Sequence, residues 1–190
     1  MQAARGASLS PAGDKDASAV TAPASRRVRL FAAVAIVAYL ADVVSKVWAV
    51  RSLTGRGPVA VVPGVLDLHL TRNPGAAFST VTGLTLVLSL VALAVVVVLV
   101  RMAGRLRDGG WAVALGLLLA GALGNLTDRV FREPGFMRGQ VVDFLELPHW
   151  PIFNIADTAI SVAALIIVVQ SARGVGLDGR RDPGTEQGAA

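Results

Sequence analysis

VVDFLELPHWPIFNIADTAISVAAL, residues 141–165, places the carboxylates of Asp143 and Asp157 in or beside an otherwise apolar segment. A carboxylate at membrane depth costs about 2.5–3.5 kcal/mol on insertion scales, so an ionisable residue there is a candidate functional residue. Asp157 lies five residues after Ile152, the start of the apolar run, which is roughly 8 Å along a helix. The two acids are therefore predicted to meet at the surface of a membrane.

Composition supports a membrane protein. The 190 residues are 54% hydrophobic and only 16% charged, which is too apolar for a soluble domain of this size. The chain has no cysteine, so disulfides, thiolate metal sites and cysteine nucleophiles are excluded. Its net charge of +5 comes from arginines that flank apolar segments and form no basic face, so we expect no nucleic-acid partner.

Four apolar runs predict four transmembrane helices, over residues 28–50, 81–100, 111–126 and 152–170. The first run follows three arginines but, at its length and with Asp42 and Lys46 inside it, does not resemble a cleavable signal peptide. Residues 1–25 and 173–190 are predicted to be disordered tails on either side of a domain at 26–172. Basic residues in the tails and in the 101–110 loop place both termini in the cytoplasm and the 51–80 and 127–151 loops outside.

The two outer loops differ in pattern. Leu66, Leu68 and Leu70 alternate with polar residues after a Pro-Gly turn, which predicts a short β-hairpin that rests on the membrane or the helices. The second loop mixes glycine, proline, aromatic and acidic residues, and we expect a partly mobile flap anchored by Trp150. The predicted fold class is an all-α membrane protein, with four transmembrane helices and a small outer-surface β-hairpin or cradle.

This topology brings the polar residues of the spans together at the outer end of the bundle. Asp42 and Lys46 are one turn apart on one helix and could simply neutralise each other. Asn154 followed by Asp157 is also an ordinary helix start. Asp128 and Arg129 could form a boundary ion pair, and His69 and His149 are expected to be polar loop residues, without metal-ligand spacing. The remaining members of the predicted cluster are Asn73 and Asn125.

Five segments together carry a family resemblance: ADVVSK (41–46), LTRNPGAAFS (70–79), GALGNLTDR (121–129), VVDF (141–144) and FNIADTAI (153–160). They resemble the signature blocks of the bacterial lipoprotein signal peptidases, the type II signal peptidase family. The resemblance covers roughly residues 30–170. The stretch FREPGFMRGQ makes the connection between GALGNLTDR and VVDF long, which leaves the shape of the flap open.

The resemblance implies a membrane-embedded aspartic endopeptidase that cleaves diacylglyceryl-modified prolipoproteins before the lipidated cysteine. It implies Asp143 and Asp157 as the catalytic pair, inhibition by globomycin, and a location in the bacterial plasma membrane. The other residues, implied to shape the site or hold the substrate, are Asn73, Asn125, Asp128, Arg129, Asn154, Asp42 and Lys46. We expect a monomer in contact with membrane lipid, with no metal and no cofactor.

The chemistry of two neighbouring aspartates supports a peptidase independently of the family resemblance. Two neighbouring carboxylates that share one proton can activate a water molecule and polarise a peptide carbonyl. Three alternatives remain at this point. One is a proton-coupled transporter, another is a Ser–Lys peptidase that uses Lys46 with Ser45, Ser79 or Ser89, and the third is a scaffold held by buried ion pairs.

Overall fold

The computed structural model describes residues 24–75 and 84–181, which form four long helices and one three-stranded sheet. All four helices are long and apolar enough to cross a membrane. In chain order the elements are α1 (Ala24–Leu53), β1 (Val59–Val62), β2 (Leu66–Asn73), α2 (Leu84–Met102), α3 (Gly109–Phe131), β3 (Val141–Glu146) and α4 (Ile155–Ala172). The sheet lies at the end of the bundle where α1 and α3 end and α2 and α4 begin, here called the sheet end.

Helix α3 is the centre of the bundle. It packs mainly against α1 and α4 and, less extensively, against α2. Small residues make these close approaches possible. A Cβ at Gly116 would lie 2.8 Å from the carbonyl oxygen of Phe31 in α1, and one at Gly121 would lie 2.6 Å from that of Ala156 in α4. Side chains at these positions would force the helices apart, so the glycines let polar groups of three helices meet.

The antiparallel sheet has the order β1-β2-β3. Thr71 pairs with Asp143 and Asn73 pairs with Val141, so Asn73 at the end of β2 lies beside the start of β3, close to Asp143. Val142 and Phe144 are buried and pack with Ala49 and Leu53 at the end of α1. The sheet is therefore fixed to the bundle, and Asp143 lies on its innermost strand.

Helix α4 begins with a complete capping box. The Asn154 side chain accepts a hydrogen bond from the Asp157 N–H, and the Asp157 carboxylate accepts one from the Asn154 N–H. A bridge between Leu145 and Phe153 ties the start of α4 to β3. These contacts hold the two segments that carry Asp143 and Asp157 in a fixed relation.

The predicted fold class is confirmed, but several details differ. Helix α3 continues five residues beyond the predicted end, and the loop predicted as a partly mobile flap contains β3, which adds a third strand to the expected hairpin. Residues 173–181 were predicted to be disordered, yet the Trp111 indole donates to the Val175 carbonyl and the Arg107 N–H donates to the Leu177 carbonyl. Several predicted features lie outside the described residues. They are the tail residues 1–23 and 182–190, the first three residues of the predicted second span, and Ser79.

Candidate active site

Buried polar side chains of α1, α3, β3 and α4 meet at the sheet end. The fully or almost fully buried members are Asp42, Lys46, Asp128, Asp143 and Asn154. Burial of so many polar groups is costly unless each is hydrogen-bonded or paired with an opposite charge. The contacts among them are accordingly dense, and they divide into a part centred on Lys46 and a part that contains Asp143 and Asp157.

Lys46 joins α1 to α3. Its ammonium group lies 2.8 Å from Asp42 Oδ2 and 3.0 Å from Asp128 Oδ2, and it donates a hydrogen bond to Asn125 Oδ1 at 3.0 Å. The Asp42 contact is an ion pair without good hydrogen-bond alignment. The other oxygen of Asp42 accepts the N–H of Ala156 at 2.9 Å, which binds the first turn of α4 to α1. The mutual neutralisation of Asp42 and Lys46 is therefore one part of a larger network.

Asn125 connects Lys46 to Asp157 through two hydrogen bonds. Because the Asn125 carbonyl oxygen accepts from Lys46, and from Asn154 Nδ2 at 3.2 Å, its amide nitrogen points the other way. That nitrogen donates to Asp157 Oδ1 at 2.8 Å. Asp157 Oδ2 accepts the backbone N–H of Asn154 at 3.2 Å. Each oxygen of the Asp157 carboxylate thus has a neutral donor that fixes its position.

Asp143 also accepts one hydrogen bond at each oxygen. Asn73 Nδ2 donates to Oδ2 at 2.8 Å, and Asn154 Nδ2 donates to Oδ1 at 2.6 Å. The pKa of Asp143 is raised to about 6, mainly by burial. The negative charge of Asp157 contributes to this increase, whereas the two amide donors and the charge of Lys46 partly oppose it. Asp143 is therefore an acid that can keep a proton close to neutral pH.

Arg129 and Arg132 bring positive charge to the same place. Arg129 lies within electrostatic reach of Asp143, Asp128 and Asp157, and its buried Nη1 has no hydrogen-bond partner among the described residues. Arg132 forms an ion pair with Asp128 through its Nε. Asp128 also accepts the N–H of Val142, so it connects the end of α3 to β3. Arg132 is thus paired with Asp128, whereas Arg129 has a buried donor that can bind a further group.

All nine predicted site residues lie in this cluster, and sequence reasoning missed Arg132. Its place one turn after Asp128 on the same helix is a signal that could have identified it. His69 is not in a loop as predicted: it lies on β2, and its Nδ1 is 2.9 Å from Glu146 Oε2. His149 does lie in a loop, after β3.

Two of the alternatives lack the contacts that they require. Among the described serines, Ser45 donates to the Asp42 carbonyl and Ser89 to the carbonyls of Thr85 and Met137, and neither reaches Lys46. In the described part of the chain, the buried ionisable side chains all lie near the sheet end. They do not form a relay along the bundle of the kind a proton-coupled transporter needs.

Comparison with known proteins agrees with the geometry. The family model described as signal peptidase (SPase) II matches residues 34–173. The chain is 48% identical over 163 residues to a lipoprotein signal peptidase of Mycolicibacterium smegmatis, an alignment that covers 85% of this chain and 69% of the relative. It is 46% identical over 154 residues to that of Streptomyces coelicolor, with 81% of this chain and 76% of the relative covered.

A solved structure supports the same assignment. It is a bacterial membrane enzyme determined by the in meso method at 1.9 Å, with a TM-score of 0.65 and 27% sequence identity. The match covers 77% of this chain and 92% of that one. The family match covers α1 from residue 34 onward, the other three helices and the three strands, and it includes every residue of the polar cluster. The matched region therefore contains the four apolar helices of a multi-pass membrane protein. The chain belongs to the signal peptidase II family.

Proposed function

We propose that Asp143 and Asp157 are the catalytic pair with which this protease removes signal peptides from prolipoproteins. The observation that carries the proposal is the position of Asn154 between them. Its side chain donates to Asp143 Oδ1 and accepts from the backbone of Asp157, while its own N–H donates to Asp157 Oδ2. One residue therefore positions both carboxylates, and an ordinary helix cap would need only one of them.

The two acids have different tasks in this mechanism. Asp143, with its pKa raised to about 6, carries the shared proton and donates a hydrogen bond to the scissile carbonyl. Asp157 removes a proton from the attacking water. As the tetrahedral intermediate collapses, the proton on the pair passes to the leaving amine, and the C–N bond breaks.

Arg129 is proposed to hold the substrate. Its buried Nη1 is a charged donor without a partner among the described residues, close to both catalytic acids. A peptide carbonyl, or the oxyanion that develops from it, satisfies this donor. Asn73, Asn125, Asp128, Asp42 and Lys46 act as positioning residues, because each reaches the pair through a hydrogen bond or ion pair described above.

The site lies at the boundary of the apolar spans, where a lipid-anchored substrate would present its cleavage site. We propose that the substrates carry diacylglycerol on a cysteine and are cut just before it, and that the chain works as a monomer. A precursor with unmodified cysteine should then be cleaved poorly, which a cleavage assay with matched modified and unmodified precursors measures. Globomycin should protect the modified precursor by occupying the space around Asp143 and Asp157.

The proposed orientation places the sheet end outside the plasma membrane and both termini in the cytoplasm. It rests on the arginines before α1, in the connection between α2 and α3, and after α4. The chain has no cysteine, so a cysteine introduced at Gly104 can be labelled selectively. Labelling of that cysteine by an impermeant reagent from outside would reverse the proposed orientation.

The deciding experiment replaces each acid by its nearly isosteric amide. Asp143→Asn and Asp157→Asn should each abolish cleavage of a lipid-modified precursor in reconstituted membranes, a loss on the order of several kcal/mol in the barrier. Because the acids act as one unit, the double variant should be no slower than either single variant. Asp67→Asn, on β2 but outside the cluster, is the matched control and should keep full turnover. A folded Asp143→Asn or Asp157→Asn variant with near-normal turnover would rule out the proposed pair.

A further inference from the structure

A cavity lies between α2 and α3. Its volume is about 770 Å³. The lining comprises Leu86, Leu90 and Leu93 of α2, Leu126 and Val130 of α3, and residues 134–138 of the connection to β3; we call this the α2–α3 groove. The α2 residues are spaced at i, i+4 and i+7 and the α3 residues at i and i+4, so each helix contributes one continuous apolar face.

The groove is separate from the polar cluster. Gly124 packs against Asp42 of α1, and Leu126 lies two residues further along α3, which is about 200° around the helix. Leu126 and Val130 therefore face away from α1. Neither they nor the three leucines of α2 make a hydrogen bond or ion pair through their side chains to the proposed catalytic residues. The groove thus requires an explanation of its own.

The outer wall of the groove is a fixed turn. The fully buried Ser89 hydroxyl donates to the Met137 carbonyl at 2.8 Å, which ties the turn to α2. The Arg138 N–H donates to the Gly135 carbonyl, and the Gly139 N–H donates to the Arg129 carbonyl at the end of α3. This wall is part of the connection between α3 and β3, and its contacts shape it into one side of the groove.

The groove combines apolar depth with one positive charge at its rim. Leu90 and Leu93 are half exposed on a helix that is long and apolar enough to span a membrane. Their exposed surfaces therefore face the acyl chains of the lipid. Arg138 is the only charged residue of the lining, and its side chain is exposed and has no hydrogen-bond or ion-pair partner among the described residues. Phe136 beside it is 76% exposed, as suits an aromatic side chain at the headgroup level.

We propose that the α2–α3 groove binds an acyl chain of an anionic glycerophospholipid whose phosphate group pairs with Arg138. The leucines supply the site for the chain, and the guanidinium matches a phosphate in charge and geometry. The diacylglyceryl group of a prolipoprotein is the other diacyl lipid that this protein meets, but it carries no phosphate and would leave Arg138 without a partner. The charge at the rim therefore favours a phospholipid.

Native mass spectrometry of the full chain, released from detergent with defined lipids, tests the proposal. The wild-type protein should retain phosphatidylglycerol in preference to phosphatidylcholine. Arg138→Gln should reduce that preference about fivefold, the equivalent of about 1 kcal/mol. The matched control is Arg56→Gln, which removes another exposed arginine at the sheet end and should leave the preference unchanged.

A second pair of variants tests the site of the acyl chain. Leu90→Trp should fill the groove and abolish retention, whereas Val98→Trp, two turns further along α2 and equally exposed, should retain the lipid. If Leu90→Trp fails to insert into the membrane, the comparison of Arg138→Gln with Arg56→Gln still tests the proposal. Both arginine side chains are exposed, so their replacement should not prevent folding.

Three results would overturn the proposal. Equal losses in Arg138→Gln and Arg56→Gln would mean that the binding is a general effect of surface charge. Displacement of phosphatidylglycerol by an equal amount of uncharged diacylglycerol would assign the groove to the substrate's lipid. Binding that is absent in the wild-type protein and gained in Phe78→Ser would assign it to the chain's own segment 76–83.

Discussion

Replacing Asn154 by aspartate separates its role as a helix cap from its role between the two acids. Aspartate caps helices as well as asparagine does, because its carboxylate can still accept the Asp157 N–H. The second oxygen of the new carboxylate, however, replaces the Nδ2 donor that lies 2.6 Å from Asp143 Oδ1. At an effective dielectric constant of 20, two unit charges at this distance repel by roughly 6 kcal/mol. The new acid and Asp143 must therefore share a proton.

A proton that Asp143 shares with the new carboxylate is not available to the proposed pair of Asp143 and Asp157. We expect Asn154→Asp to fold with an intact start of α4 and to lose turnover on the order of a hundredfold or more, the usual effect of a misplaced catalytic group. Asn154→Ala should instead lose both the cap and the charge-assisted hydrogen bond, at a cost of about 2–4 kcal/mol in stability. Cleavage of a lipid-modified precursor measures the first effect, and thermal unfolding in detergent measures the second.

The matched control is Asp108, which caps α3 at the opposite end of the bundle by accepting the Trp111 N–H. Asp108→Ala should cost about 2–4 kcal/mol in stability, because it removes both the cap and the acceptor of the buried Gln170 amide, and it should leave turnover per folded molecule unchanged. Near-normal turnover of a folded Asn154→Asp protein would refute the reasoning. It would show that Asn154 is a helix cap alone and that the hydrogen bond to Asp143 has no part in catalysis.

Four further predictions concern the same cluster of residues. Gly124→Ala would put a methyl group into the space of the Asp42 carboxylate and should lower the thermal unfolding temperature by the equivalent of about 1–3 kcal/mol. Gly104→Ala is the control, because open space surrounds Gly104, and it should leave the unfolding temperature unchanged. Equal unfolding temperatures of the two variants would contradict this packing. In infrared titrations the Asp143 carboxyl should deprotonate near pH 6. The midpoint should fall in Asp157→Asn, which removes a negative charge, and rise in Asn73→Ala, which removes a hydrogen-bond donor to the ionised form. An unchanged midpoint in both variants would contradict the causes assigned to the raised pKa. Because the folded-state pKa of Asp143 is raised above 3.8, this group should make folding less favourable as pH increases from about 4 to about 6. Chelators should leave cleavage unchanged, since within residues 24–75 and 84–181 no three His, Cys, Asp or Glu side chains are grouped to hold a metal, and recovery of lost activity by zinc would contradict this.

The sequence was sufficient to predict the four helices and the members of the polar cluster other than Arg132, because long apolar runs and ionisable residues inside them are strong signals. It was not sufficient to place the end of α3. Asn125, Asp128 and Arg129 make the sequence too polar for a hydropathy-based span, yet the helix continues because α1 and β3 provide partners for Asn125 and Asp128. Strand β3 was missed because its pairing partners lie about seventy residues away on β2. Such long-range pairing leaves no local pattern in the sequence.

The charges of the described cluster show why a shared proton belongs at this site. Asp42, Asp128, Asp143 and Asp157 can supply four negative charges, and Lys46, Arg129 and Arg132 supply three positive charges. With a single proton on the proposed pair, Asp143 and Asp157, the cluster is neutral, which is the state that a poorly solvated site favours. With no proton it carries a net negative charge, and with two it carries a net positive charge. The same balance that allows these groups to be buried at the end of an apolar bundle therefore favours the singly protonated pair that the proposed mechanism requires.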